Sequence, residues 1–161
     1  MFVEAAFHNI DQFAAAGRGW NQTYRQLRRG PFRGESRLAH TSSVQIGLVR
    51  FSPGILIRGD SPPGCVVFAI SIAPESPPRH HGRVLGDDEI ATTRHGEEID
   101  FQVTSPCTLA VVSIAEEIAD EYALAIWGGP LSANCDCSRL RMRNPAQRDV
   151  IYLILALQEA G

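Results

Sequence analysis

"CVVFAISIA" (65–73) and "CTLAVVSIA" (107–115) are the stretches whose reading decides the fold. Each is apolar at nearly every position, and each is far too short to span a bilayer. Side chains of a strand alternate between two faces, so a strand that is apolar throughout has to be covered on both. The two stretches are expected as central strands with material packed on either side.

The texture around them is the same from Trp20 to Ile114. Short runs rich in Val, Ile and Phe are separated by clusters of Gly, Pro, Asp and Ser, which is how all-β sandwiches and barrels read. Strands are predicted near 20–27, 33–39, 43–51, 54–59, 64–73, 88–93, 98–104 and 107–114. The prolines of "SPPG" (61–64) and "PESPPRHHG" (74–82) cannot donate to a ladder, so both are expected as turns.

Helices flank this β region. Residues 3–16 are expected as an amphipathic helix closed by Gly17 and Gly19. Ser113 and Glu116 have capping-box spacing, with Ile114, Ile118, Tyr122 and Ile126 as the stripe and Gly128-Gly129-Pro130 as the stop. A last helix begins at Asn144, with Pro145 in its first position and Gln147 three residues after the cap. Its body, "VIYLILAL" (150–157), is apolar almost all round, so it needs a second cover besides the sheet. A partner subunit is the economical one, with Val150, Ile151, Ile154 and Leu155 at the contact. Segment 131–144 is expected as a connection, a loop or short strand.

The chain has 161 residues, enough for one domain with a sizeable core. It divides into 1–19 (helix and turn), 20–114 (β-barrel) and 115–161 (helical part). Net charge is −3, and all 15 basic residues are arginine. Such a balance gives no global attraction to nucleic acid or an anionic membrane, so any contact of that kind has to be a local patch. The start "MFVEAAFHNIDQFAAAG" has neither the basic residues nor the apolar run of a signal peptide, so a cytoplasmic protein is expected. Cys65 and Cys107 lie in apolar strands as buried thiols. Cys135 and Cys137 form a lone CxC, short of the two ligand pairs that zinc wants.

Catalytic motifs are missing: no GxSxG, HExxH, GxxxxGK[ST] or GxGxxG occurs. "RHHGRVLGDDEIATTRHGEEIDF" (79–101) holds three histidines and several acids, which in a small barrel suggests a metal-binding cupin. Its spacing argues otherwise. His80 and His81 are adjacent, so on a strand they point to opposite faces, and no histidine follows His95. The expectation is a chain with no metal, no cofactor and no catalysis. A metal-dependent cupin enzyme using His80 or His81 with His95 and an acid is the alternative, and a stand-alone interaction module is a third. Nor is there a helix-turn-helix, because the two C-terminal helices are too far apart and the second is apolar where a reader of bases is polar.

"NIDQFAAAGRGWNQTYRQLRRGPFRGESRL" (9–38) resembles the start of the regulatory domain of AraC-family transcription regulators. There a short helix ending near a tryptophan leads into a strand with a Q-L-x-x-G-x-F-x-G pattern. Gln26, Leu27, Gly30, Phe32 and Gly34 fill that pattern without a gap. The resemblance runs on through "VQIGLVRF", "CVVFAISI", "GDDEI", "EIDFQV" and "LAVVSI". It implies a degenerate cupin-like β-barrel, followed by two helices, that senses a small-molecule effector and forms a homodimer. DNA would be reached only through a separate C-terminal helix-turn-helix domain, absent from this chain, and no membrane is involved. On this reading the five arginines of 25–37 decorate the first hairpin of a sensor barrel. Gly30 and Gly34 permit its turn and close strand approach, and Phe32 supplies core. Arg50 and Arg58, embedded in apolar strands, are the candidates to hold an effector's carboxylate or phosphate, with Phe51, Phe68 and Ile70 as apolar walls.

Overall fold

In the computed structural model, which describes residues 2–17, 19–72, 74–134 and 138–142, the apolar runs become strands of two antiparallel sheets. The elements in order are β1 (Phe2–Phe7), α1 (Ile10–Ala16), β2 (Asn21–Gln26), β3 (Arg33–His40), β4 (Val44–Ser52), β5 (Ile55–Asp60), β6 (Cys65–Ile72), β7 (Arg79–His80), β8 (Arg83–Val84), β9 (Glu89–Thr93), β10 (Glu98–Gln102), β11 (Cys107–Ala115), α2 (Glu116–Trp127), α3 (Leu131–Asn134) and β12 (Arg139–Arg141). One sheet runs β1-β3-β4-β11-β6-β9-β12 and the other β2-β5-β10-β7-β8. The protein is mainly β, as expected.

The two decisive stretches sit side by side in the middle of the larger sheet, β11 paired with β6 over Thr108↔Ile72 to Ala115↔Cys65. Both faces are covered. Cys107, Leu109, Val111 and Ala69 face the space between the sheets, where they meet Phe13, Phe32, Phe51, Ile55, Phe101 and Val103. On the opposite face, Ile70 and Ala110 pack with Leu48, Ile90 and Met142. Val66 packs there against Ala119 and Ala123 of α2 and Leu131 of α3.

The hairpin expected around Gly30 and Gly34 does not form: β2 pairs with β5 in the smaller sheet and β3 with β1 and β4 in the larger, so the loop between them crosses from one sheet to the other. Gly30 has φ +138°, and a Cβ on Gly34 would stand 2.8 Å from ring atoms of Phe13 and Phe32. Phe32 is buried against Phe13, ring centroids 5.6 Å apart.

Other expectations change as well. The single helix over 3–16 is a strand and a shorter helix: Phe2–Phe7 pairs antiparallel with β3, and Asn9 caps α1 by accepting the N–H of Asp11 at 2.7 Å. Ladder bonds to β3 outweigh the weak helical pattern of so short a segment. The turn over 74–82 contains β7, which with β8 makes a two-residue hairpin around His81 (φ +49°) and Gly82 (φ +72°). Ser113 is buried within β11 rather than capping, and α2 starts after Ala115 with no side-chain cap. The expected stripe on α2 is also rotated. Ala119 and Ala123 face the sheet, while Tyr122 and Ile126 are 64% and 69% exposed. Small side chains let the helix lie close on Val66, Phe68 and Ile114, and the large ones are turned out.

Gly128 ends α2 in the left-handed conformation, its N–H donating to Leu124 O at 2.9 Å. The part expected to be helical also carries β12, paired to β9 over Arg139↔Ala91 to Arg141↔Glu89. The contact residues expected on the last helix, Val150, Ile151, Ile154 and Leu155, lie outside the described residues, as do Cys135 and Cys137. Among the described residues, no helix is long and apolar enough to cross a membrane.

Candidate effector cleft

Antiparallel pairing of β2 with β5 sets Asn21, the first residue of one, opposite Asp60, the last of the other. Glu98 opens β10 on the far side of Asp60. The turn after α1, tied by Trp20 N–H to Gly17 O at 3.1 Å, brings Trp20 to the same end. The connection from β9 to β10 adds His95 and Gly96. Gly19, Trp20, Asn21, Asp60, Ser61, Pro63, His95 and Gly96 line an open cleft of about 700 Å³ at this end.

Second contacts position the lining groups. The Trp20 indole N–H donates to Gln45 Oε1 at 3.2 Å, so what the ring offers the cleft is carbon surface. Asn21 Nδ2 donates to Asp60 Oδ2 at 3.0 Å, and the buried Ser61 hydroxyl donates to Arg94 O at 3.0 Å. His95 donates its backbone N–H to Glu116 Oε1 at 3.2 Å, which ties the cleft to the first residue of α2.

Arg94, next to His95, strengthens that tie. Its backbone N–H donates to Glu97 Oε2 at 2.8 Å, and its guanidinium Nη2 lies 3.4 Å from Asp120 Oδ1 on α2. The same Asp120 oxygen accepts Leu131 N–H of α3 at 2.9 Å. Arg94 Nε is buried with no hydrogen-bond acceptor in reach, and Glu116 Oε1 stands 3.9 Å away. One wall of the cleft and the seat of α2 are thus a single connected piece.

No family model and no curated protein sequence matches the chain. Two solved structures resemble it in three dimensions. The AraC-like transcriptional activator CuxR superposes with a TM-score of 0.54 at 13% identity, over 75% of this chain and 50% of that one. An oxalate decarboxylase gives a TM-score of 0.38 at 13% identity, over 89% of this chain and 43% of that one. The chain therefore spans about half the length of each. The first likeness shows a shared fold: the two-sheet β architecture is also that of half of an AraC-like activator.

The five residues expected around an effector are not brought together. Along β4, Leu48 lies on the outer face of the larger sheet and Phe51 on the inner, so the exposed Arg50 belongs with Leu48. Phe68 and Ile70 also belong to the outer face. Phe51 is in the core between the sheets, 3% exposed. Arg58 is on the outer face of the smaller sheet, its Nη2 2.9 Å from Asp100 Oδ2. Apolar neighbours in sequence could not tell inward from outward positions, because period-2 alternation places Arg50 and Phe51 on opposite faces.

The histidines are also dispersed. His80 is buried, Nδ1 3.2 Å from Asp100 O and Nε2 3.2 Å from Thr92 O, while His81 is exposed in the hairpin turn and His95 lines the cleft. Burial, followed by the neighbouring His81, holds the His80 pKa below its ordinary value. Among the described residues no three His, Cys, Asp or Glu side chains gather as metal ligands would. Tyr24, inside the core, has its phenol pushed up to about 12 by burial. Sequence reading missed the residues of the cleft. Trp20 stands in the motif region, but its partnership with Asp60 and His95 depends on strand pairing across 40 and more positions.

Proposed function

We propose that this chain is the effector-sensing and dimerising domain of an AraC-type transcriptional regulator, acting in the cytoplasm without catalysis of its own. The observation that carries this reading is the cleft itself, whose wall is bonded to α2 through His95–Glu116 and Arg94–Asp120. The likeness in fold to an AraC-like activator supports it. A small polar effector would lie against the Trp20 ring and donate to Asp60. It would favour the position of α2 that suits the filled cleft, and that differential affinity is what any such control requires. Tyr122, Leu124, Ile126 and Trp127, exposed toward the end of α2, support a subunit contact there. A DNA-binding domain elsewhere in the full regulator would receive the change.

A thermal-shift screen across amines, sugars and small carboxylic acids tests the reading. At least one class is expected to raise the melting temperature of the native chain and to lose that effect in Trp20→Ala and Asp60→Ala. A compound that shifts all three proteins equally would remove the cleft from consideration. Light scattering checks the dimer: a monomer at high concentration, with the same shape after Leu155→Glu, contradicts it.

A further inference from the structure

The described arginines differ in whether an acid stands beside them; Arg79, which donates to Gly82 O at 2.9 Å, and the exposed Arg83 are in no ion pair among the described residues. Arg58, Arg94, Arg139 and Arg141 each stand beside a carboxylate: Asp100, Glu116 and Asp120, Glu89, and Asp88 and Glu89 respectively. Arg37 is likewise 2.8 Å from Glu4. Arg25, Arg28, Arg29 and Arg33 are exposed, and among the described residues none of them is in an ion pair. Arg25, Arg28 and Arg29 lie at the end of β2 and in the loop that follows it, whereas Arg33 opens β3 and belongs to the outer face of the larger sheet.

That loop is held in shape. Gln26 Nε2 donates to Arg28 O at 2.6 Å and to Gly30 O at 2.8 Å, and Leu27 N–H donates to Gly54 O at 2.9 Å. Phe32, buried, anchors the far side. An anchored backbone loses little entropy when its side chains meet a partner. Strand register widens the patch. Arg25 pairs with Leu56, Leu56 with Gln102, and Gln102 with Arg79, all on the outer face of the smaller sheet. Three strand spacings separate Arg25 from Arg79, or about 14 Å. A single phosphate does not span that distance, whereas phosphates on either side of a DNA groove about 12 Å wide do.

We infer that the β2–β3 loop, with Arg79 beside it, is a docking surface for the phosphate backbone of duplex DNA, gripping it without reading sequence. This rests on the regulator reading above: a sensing domain tethered near an operator would meet DNA, and this face would set its orientation. Charge, not apolar insertion, supplies the contact, since the loop presents no large exposed apolar side chain.

Fluorescence anisotropy of a short labelled duplex tests it with the 161-residue chain. Four phosphate contacts, from Arg25, Arg28, Arg29 and Arg79, predict a log–log salt slope of about −3.6, or a loss of about 150-fold in affinity between about 50 and 200 mM salt. Scrambling the duplex should change nothing. Arg28→Gln with Arg29→Gln should halve the slope, cutting the loss to about 12-fold, with an unchanged melting curve. Arg141→Gln, which removes a charge on the other sheet, should leave the slope as it was. No binding at low salt, a slope indifferent to Arg28 and Arg29, or equal affinity for phosphatidylcholine vesicles containing phosphatidylglycerol would each overturn the inference. The thermal-shift screen on the same proteins separates the two claims. DNA binding without effector binding leaves this surface standing and the sensing role fallen; effector binding without DNA binding does the reverse.

Discussion

β2 begins at Asn21 beside a cleft and ends at Gln26 beside an arginine loop, and its two ends use polar groups in opposite ways. At the first end, groups are answered within the chain: Asn21 by Asp60, Trp20 by Gln45, His95 by Glu116. At the second, the backbone is answered by Gln26 while the guanidiniums of Arg25, Arg28 and Arg29 are in no ion pair among the described residues. Groups held by internal partners are pre-positioned for something small that must fit between them. Charges held only by their backbone suit a large, repetitive partner whose own charges set the spacing. Arginine content alone does not separate these cases; the partner census does.

The largest expected effect tests the layer beneath both ends. Tyr24, Ile57, Phe101 and His80 form one inward row across the smaller sheet, with Arg25, Leu56, Gln102 and Arg79 the outward row next to it. Phe101→Ala should lower unfolding stability by about 3–5 kcal/mol in urea titration. Gln102→Ala, one position on, should stay within about 0.5 kcal/mol. Equal losses would mean that the two rows are not the two faces of one sheet.

Next in size is Gly34→Ala. A Cβ there meets the Phe13 and Phe32 rings at 2.8 Å, so a loss of about 1–3 kcal/mol is expected as the rings shift. Because Phe32 anchors the arginine loop, this variant should also weaken DNA binding, while leaving thermal shifts at the distant cleft intact. If the cleft is lost as well, the two ends of β2 are not independent.

His80 sharpens the contrast through pH. Its folded pKa lies below its unfolded value of about 6.5, so the unfolded state takes up the proton first. Stability should therefore be full at neutral pH and decline as pH falls through about 6.5. His81, the nearest charged neighbour that disfavours protonation, and Asp100, which favours it, are the groups facing the ring. His80→Asn should flatten this decline in melting temperature between pH 7 and 5.5. An unchanged slope would assign the acid sensitivity elsewhere. The smallest effect is expected from Arg25→Gln, an exposed change that should alter stability by less than about 0.5 kcal/mol while reducing the salt slope by about 0.9.

Much of the fold was legible in the residues. Unbroken apolar runs marked β6 and β11 as central, and Gly128 marked the end of α2. Each of these is a local demand that the residue itself carries. The misreadings were of another kind. Residues 3–16 have a faint helical period, yet β3 offered five of them ladder partners. Tyr122 and Ile126 look like a core stripe, yet the sheet surface under α2 accepts alanine there.

The sequence by itself determined that the chain is mainly β, where its strands run and which two stand in the middle, because those facts follow from how apolar and turn residues alternate. Only the tertiary structure decided which side of a strand each side chain takes and who its neighbour is. Arg50 and Phe51 went to opposite faces, Trp20 came to line one cleft with Asp60 and His95, and Arg25, Arg28 and Arg29 were left with no acid beside them among the described residues. These outcomes depend on register between segments far apart in the chain, and a one-residue slip would reverse every one of them.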